Sequence, residues 1–441
     1  MTHEPEAARG ARVAERGRRA FSPLEYRDPR PAARLIDLLG AVNRFAFLPG
    51  VLKVRRFELP AADRARLAAS VNAGTAAFLG PVHPEFLTDW MVDKEISRRV
   101  SPLMAHWAAH EIVNASPAAR AFWLANNLVA NVPGGAGKAY SVDWALRGHG
   151  VLLHPEGTAT WQGERVSTLL PGLVDMACEA AARAASIGDA RPVWLVPIAW
   201  RFTFMRDVRR GLSRDLSRLE RGLGLPRGDR LAVPERFAAL MRNVLARQCA
   251  RLGLATRLDA GRPYFAAQSA AADELRRDLA ERYPEAEADF ADLTRAQFQL
   301  RRAMRERAAA DPEGVQRDRA RLAELQRLMG FDAALYDRPH LEQERIAEVL
   351  KRARSSVLTH GFRNALHNTV PVAAGPRTVH VRVAEPIAVR PAAAGEDGAP
   401  ARAALLAQHR ASLQAMLDRL GTDLAEHTAR FRLPNPLHDG G

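Results

Sequence analysis

The chain has 441 residues, 47% hydrophobic and 26% charged, a globular composition long enough for two or three domains with at least one sizeable core, which excludes a disordered chain and a many-span membrane protein. Its formal charge is +14, and 60 Arg stand against four Lys (Lys53, Lys94, Lys138, Lys351), a surface that draws phosphate, anionic headgroups or nucleic acid. Aromatics at 6%, with no zinc-finger spacing, RNP-like aromatic motif or Gly-rich KH loop, argue against nucleic acid as the partner.

Residues 1–30 carry Arg, Glu, Pro and Gly without periodicity and read as a mobile tail with no secretory pattern. Leu35 to Leu48 has helical spacing ended by Pro49-Gly50; its low charge favours packing on a core over lying on a membrane. Val51 to Leu59 alternates like a strand, Ala61 to Asn72 looks helical, and Ala76 to Val82 is a short apolar strand leading to His83. Asp89 to Arg98 then reads as a helix, and 107–130 as an apolar helical stretch broken near Pro117. The Gly-rich loop Pro133 to Gly137 precedes a helix from Ser141 to Arg147. Two buried strands, Val151 to Leu153 and Val193 to Ile198, flank a helix from Gly172 to Ala185. This alternation predicts an α/β fold with a mostly parallel or mixed sheet flanked by helices.

After Trp200 the pattern turns helical. Residues 201–230 hold nine Arg and four acids, with Leu212, Leu216, Leu219 and Leu223 on one face. Phe290 to Met304 and Leu322 to Met329, separated by Asp311-Pro312, suggest a coiled-coil hairpin and with it a homodimer surface. The expected division is thus an α/β domain over 31–204 completed by 376–390, a large α-helical insertion over 205–375, and a linker and C-terminal helix over 391–441. Strand character returns at Thr378 to Val383 and Glu385 to Val389, where it most simply rejoins the first sheet. Cys178 and Cys249 lack paired spacing and imply a reducing compartment. No apolar run reaches transmembrane length, so membrane contact is expected to be peripheral.

Two places carry chemistry. His83 follows a strand, with Asp89 six residues on; an imidazole oriented by a carboxylate can take a proton from an alcohol, as attack on a thioester requires. Gly150 to Thr158 is a strand running into Pro155-Glu156-Gly157-Thr158, a turn that offers N–H groups, a hydroxyl and a carboxylate at a sheet edge. A metal hydrolase is the weaker alternative, from His106 and His110 sharing a helical face beside Glu111.

His83…Asp89, Asn131 to Gly135, His154-Pro-Glu-Gly-Thr158 and Val196-Pro-Ile198, in that order, resemble the motifs of the glycerolipid acyltransferase superfamily, which contains lysophosphatidic acid and glycerol-3-phosphate acyltransferases. The resemblance covers about residues 50–204 and 377–389. It implies transfer of a fatty acyl group from an acyl-CoA or acyl-carrier-protein thioester to a hydroxyl of a lipid or lysophospholipid acceptor. His83 would be the general base and Asp89 its orienter; Glu156, Gly157 and Thr158 would line or shape the acceptor site, and Lys138 would meet donor phosphates. No metal or bound cofactor is implied. The implied location is cytoplasmic, on the inner face of an anionic membrane. Two positions depart from the family. Asp89 stands one residue later than usual, with Glu85 and Asp93 as rivals. Ala159 occupies the place of a phosphate-binding Arg, for which Lys138, Arg165 or Arg201 would substitute. A catalytically inactive protein that binds a membrane or partner through the basic helical region is the alternative expectation.

Overall fold

The structure is a computed structural model that describes residues 25–438 apart from 227, 229, 256–262, 291–292, 359–363, 365–369, 371 and 392–397. The expected N-terminal tail and the middle of the expected 391–400 linker lie largely outside the described residues. No helix among the described residues is long and apolar enough to cross a membrane.

The fold is α/β. Its sheet comprises β1 (Val54–Glu58), β2 (Ala76–Pro81), β3 (Ala105–Ala109), β4 (Leu128–Asn131), β5 (Val151–Leu152), β6 (Val193–Phe204), β8 (Arg377–Val383) and β9 (Ile387–Val389). The order is β1-β8-β6-β2-β5-β3-β4, and β9 also pairs with β6. Strands β6, β2, β5, β3 and β4 pair in parallel, β8 and β9 run antiparallel to β6, and β1 runs parallel to β8. Helices cover both faces, so β2 is buried along its whole length and can be apolar at every position instead of alternating.

Residues 107–130 are not a broken helix. They hold most of β3, a one-turn helix His110–Val113, the helix Pro117–Ala125 and β4. Both strands are four or five residues long and rich in Ala, so neither shows the period of two that marks a half-buried strand. The N-terminal helical run divides too: a helix over Ala33–Val42 continues as a π-helix over Asn43–Val51 that contains Pro49. Ile36, Leu48 and Leu52 are buried as core packing requires, but Leu38, Phe45, Phe47 and Val51 are exposed, with Phe45 at 79%.

The segment between β6 and β8 is helical, except for the short strand β7 (His340–Leu341), which pairs with β10 (Leu433–Pro434). Helices Leu293–Arg307 and Pro312–Gly330 follow one another as the hairpin pattern suggests. Their apolar faces, including Leu300, Met304, Leu322 and Leu325, are however buried in a larger core with Phe237 and Leu245 of Val233–Leu252 and Tyr264 and Leu275 of Tyr264–Arg282. The seam of the hairpin is thus covered by further helices of the same chain. The C-terminal helix Gly398–Asp423 packs on the sheet over β6, and its His409 reaches β2, where Nε2 lies 3.0 Å from the Gly80 carbonyl oxygen. A Cβ at Gly80 would fall 2.3 Å from that nitrogen, so the close approach requires glycine there.

Candidate functional site

At the C-terminal edge of the parallel strands, where open α/β sheets receive ligands, two histidines meet two aspartates. His83 follows β2 and His154 follows β5. These strands are neighbours with Leu79 opposite Leu152, so the two rings emerge side by side, stacked with centroids 4.2 Å apart. The helix Phe86–Val100 supplies both carboxylates, Asp89 and Asp93, one turn apart on the same face. His83 Nδ1 lies 2.9 Å from Asp89 Oδ2, and His154 Nε2 lies 2.8 Å from Asp93 Oδ2.

Asp89 also works as a helix cap. Glu85 is the N-cap residue, and its backbone N–H donates to Asp89 Oδ2 at 2.6 Å, an arrangement related to the capping box. The Trp200 indole N–H of β6 donates to Asp89 Oδ1 at 3.2 Å. With one donor on each oxygen, the carboxylate is best completed by His83 Nδ1–H. That tautomer leaves the Nε2 lone pair as the base, and Nε2 makes no hydrogen bond among the described residues. Burial, together with the nearby Glu85 and Asp93 carboxylates, pushes the Asp89 carboxyl upward, against the pull of the Glu85 and Trp200 N–H groups. Burial, then the charge of His154, holds His83 well below the usual histidine range. Its side chain is 15% exposed, so a substrate can still reach it.

His154 is shifted the other way. Burial alone would lower it, but Asp93, Glu156 and the Val82 carbonyl, 2.9 Å from Nδ1, raise it. A carbonyl can only accept, so Nδ1 carries a proton, and the Asp93 carboxylate beside Nε2 favours a second proton there.

The Pro-Glu-Gly-Thr turn holds the base in place. Glu156 is buried, and its carboxylate accepts from the His83 N–H at 2.6 Å and the Ser167 N–H at 2.8 Å, tying the turn to the end of β2. The Thr160 N–H donates to the His83 carbonyl oxygen at 2.8 Å. Gly157 has φ +71°, and a Cβ there would lie 2.6 Å from Leu170 Cδ1. Gly157 and Thr158 are exposed at the turn.

Around this centre, β8 and the helical insertion close the wall. Arg377, the first residue of β8, makes a bidentate pair with Glu85 at 2.7 and 2.8 Å, and Lys351 of the helix Gln343–Val357 binds Glu85 Oε1 as well. Burial would raise Glu85, but the two cations outweigh it and hold its carboxyl below the usual range.

A scan against family models and a search of curated proteins find no match to the chain. The site is therefore argued on its own geometry.

Of the residues singled out in the sequence, His83, Asp89 and Glu156 converge. Of the rivals to Asp89, Glu85 is held by cations and Asp93 by the second histidine. Glu156 faces inward onto backbone N–H groups, so its place is to shape the site and not to line an acceptor. Lys138 pairs with Asp175 at 3.3 Å, Arg165 pairs with Asp332 at 2.5 Å, and Arg201 pairs with Glu164, so all three substitutes for the residue absent at Ala159 are engaged. His106 lies on β3, where Nε2 is 2.9 Å from the Ser97 hydroxyl, and His110 opens the turn that follows; the helical face expected to hold a metal does not exist. Sequence reasoning passed over Thr160, Trp200, Lys351 and Arg377, which are remote in the chain, and gave no role to His154. The step of four from Asp89 to Asp93 was the available signal that a second base was to be sought.

Proposed function

We propose that the chain is an acyltransferase that moves a fatty acyl group from an acyl-CoA or acyl-carrier-protein thioester to a hydroxyl of a lipid or lysophospholipid acceptor. One observation carries the reading: His83, oriented by buried Asp89, is fastened through Glu156 to the Pro-Glu-Gly-Thr turn at the sheet edge. In this mechanism His83 Nε2 removes the acceptor hydroxyl proton as the oxygen attacks the thioester carbonyl. The C–O bond forms, the C–S bond breaks, and the proton passes from His83 to the departing thiolate. Asp89 keeps the imidazole in the reactive tautomer throughout.

Contact with an anionic membrane, on the cytoplasmic face, belongs to the same proposal. The exposed Leu38, Phe45, Phe47 and Val51 supply an apolar surface. That surface is joined to the site helix through the Asn43 side chain, which donates to the Met91 carbonyl oxygen at 2.8 Å. The test is turnover of acyl-CoA and acyl-carrier-protein by wild type and His83→Ala with a mixed lysolipid and polar-lipid acceptor pool, read by lipid mass spectrometry. An acylated product lost in the variant is expected. No product with either donor, or equal product from His83→Ala, would overturn the assignment.

A further inference from the structure

The residue absent at Ala159 leaves the chain without the phosphate ligand of the family it resembles, and the three nearby substitutes are already paired. A different part of the molecule concentrates guanidinium groups. Helix Arg209–Gly222 buries Leu212, Leu216 and Leu219 on one side and turns Arg214, Arg218 and Arg221 to the other, at helical spacing. Together with Arg354 from Gln343–Val357, these three line a concave pocket of about 400 Å³, and the carboxylate of Asp215 faces Arg214, Arg218 and Arg354. Arg214 and Arg221 make no ion pair among the described residues. Arg218 reaches back to Asp215 at 3.2 Å. Buried Arg236 donates to the hydroxyls of Ser213 and Ser217 at 2.6 and 2.7 Å and fixes the pocket floor.

Four guanidinium groups around the Asp215 carboxylate leave the concavity net positive, and an anion with several oxygens matches that charge and the planar donor fork. The pocket is also connected to the candidate site. Lys351 lies three residues before Arg354 on the same helix, and it is Lys351 that binds Glu85, whose backbone N–H in turn caps Asp89. One helix thus places one cation at the site wall and the next, a turn later, at the pocket.

We propose that this pocket binds the phosphate groups of a nucleotide-type thioester donor, with the pantetheine arm running past Lys351 to His83. The assignment rests on the acyltransferase reading and makes it more specific, because a donor with several phosphates uses all four arginines and a single phosphodiester does not. Free phosphate and phospholipid headgroups share the chemistry, so the experiment separates them.

Calorimetry measures binding of coenzyme A, adenosine 3′,5′-diphosphate, inorganic phosphate and anionic phospholipid vesicles to the full chain and to Arg214→Glu, Arg221→Glu and the double variant, with folding checked by circular dichroism. Arg214 and Arg221 are exposed, so their replacement should leave the fold intact. Coenzyme A and the diphosphate should compete for one site, bind far more tightly than inorganic phosphate, weaken with salt, and lose about 10-fold or more per substitution. Equal binding of coenzyme A by wild type and the double variant would overturn the proposal, as would saturable binding to vesicles alone. Variant-sensitive coenzyme A binding without any acyl transfer would leave the pocket standing and remove the proposed function. Acyl transfer with an unchanged donor KM in the double variant would do the reverse.

Discussion

Replacing His154 by Phe keeps a ring against His83 and removes the charge behind it. In the native site the two rings are stacked at 4.2 Å. At an effective dielectric of about 20, two unit charges at that separation interact by about 4 kcal/mol. Asp93, 2.8 Å from His154 Nε2, opposes that field, so this figure is an upper bound. His83 acts in its neutral form, and its pKa is lowered by burial and by His154, so the native base stays competent to lower pH. Without the His154 charge its pKa rises, and the acid limb of kcat/KM against pH should move to higher pH. Asp93, if left ionised, acts in the same direction; Asp93→Asn, which lets His154 lose its second proton, should shift the limb upward as well. The other charges facing the pair are unaltered: Glu85 remains bound to Arg377 and Lys351, Glu156 to two N–H groups, and Lys94 and His106 stay buried beneath. Proton NMR of the His83 imidazole in the ligand-free protein measures the same shift without turnover. A limb and an imidazole titration that stay in place, or move to lower pH, would refute the argument that the second pair sets the base.

Glu156→Gln offers one carbonyl oxygen where the carboxylate now serves two N–H groups; a loss of about 1–3 kcal/mol in denaturant unfolding is expected, with kcat falling more than KM rises because the base is displaced. Gly80→Ala places a Cβ 2.3 Å from His409 Nε2 and 2.6 Å from Leu173 Cδ2; thermal unfolding should show a loss of about 1–3 kcal/mol, with little change in kcat for the fraction that remains folded.

How much could be seen in advance depended on how far each contact reaches along the chain. His83 and Asp89 lie within one strand-to-helix turn, and their types and spacing were enough to pair them. The six-residue step from His83 to Asp89 is accommodated because Glu85 remains extended as the N-cap and the helix begins at Phe86. Strand β2 was legible as an uninterrupted apolar run, whereas β3 (Ala105–Ala109) and β4 (Leu128–Asn131) are too short for either period to emerge. The exposed face of Leu38 and Phe45 was misjudged because hydrophobic spacing gives a helix its apolar stripe without saying what covers it. Arg377 and Lys351 are invisible from sequence as partners of Glu85: an ion pair between residues 292 positions apart leaves no local pattern.

That same long reach orders the making of the molecule. Among the described residues strand β1 pairs only with β8, and Arg377 donates to the Leu52 carbonyl oxygen across 325 positions. During synthesis, β1 therefore waits without a neighbour, and one edge of β6 stays open, until the whole helical segment has left the ribosome. Glu85 has neither of its cations in that interval, and a carboxylate without compensation resists burial. The wall of the candidate site is thus among the last parts to close. A chain released before Arg377 would carry its histidines and aspartates yet present an open sheet edge, a substrate for aggregation or proteolysis.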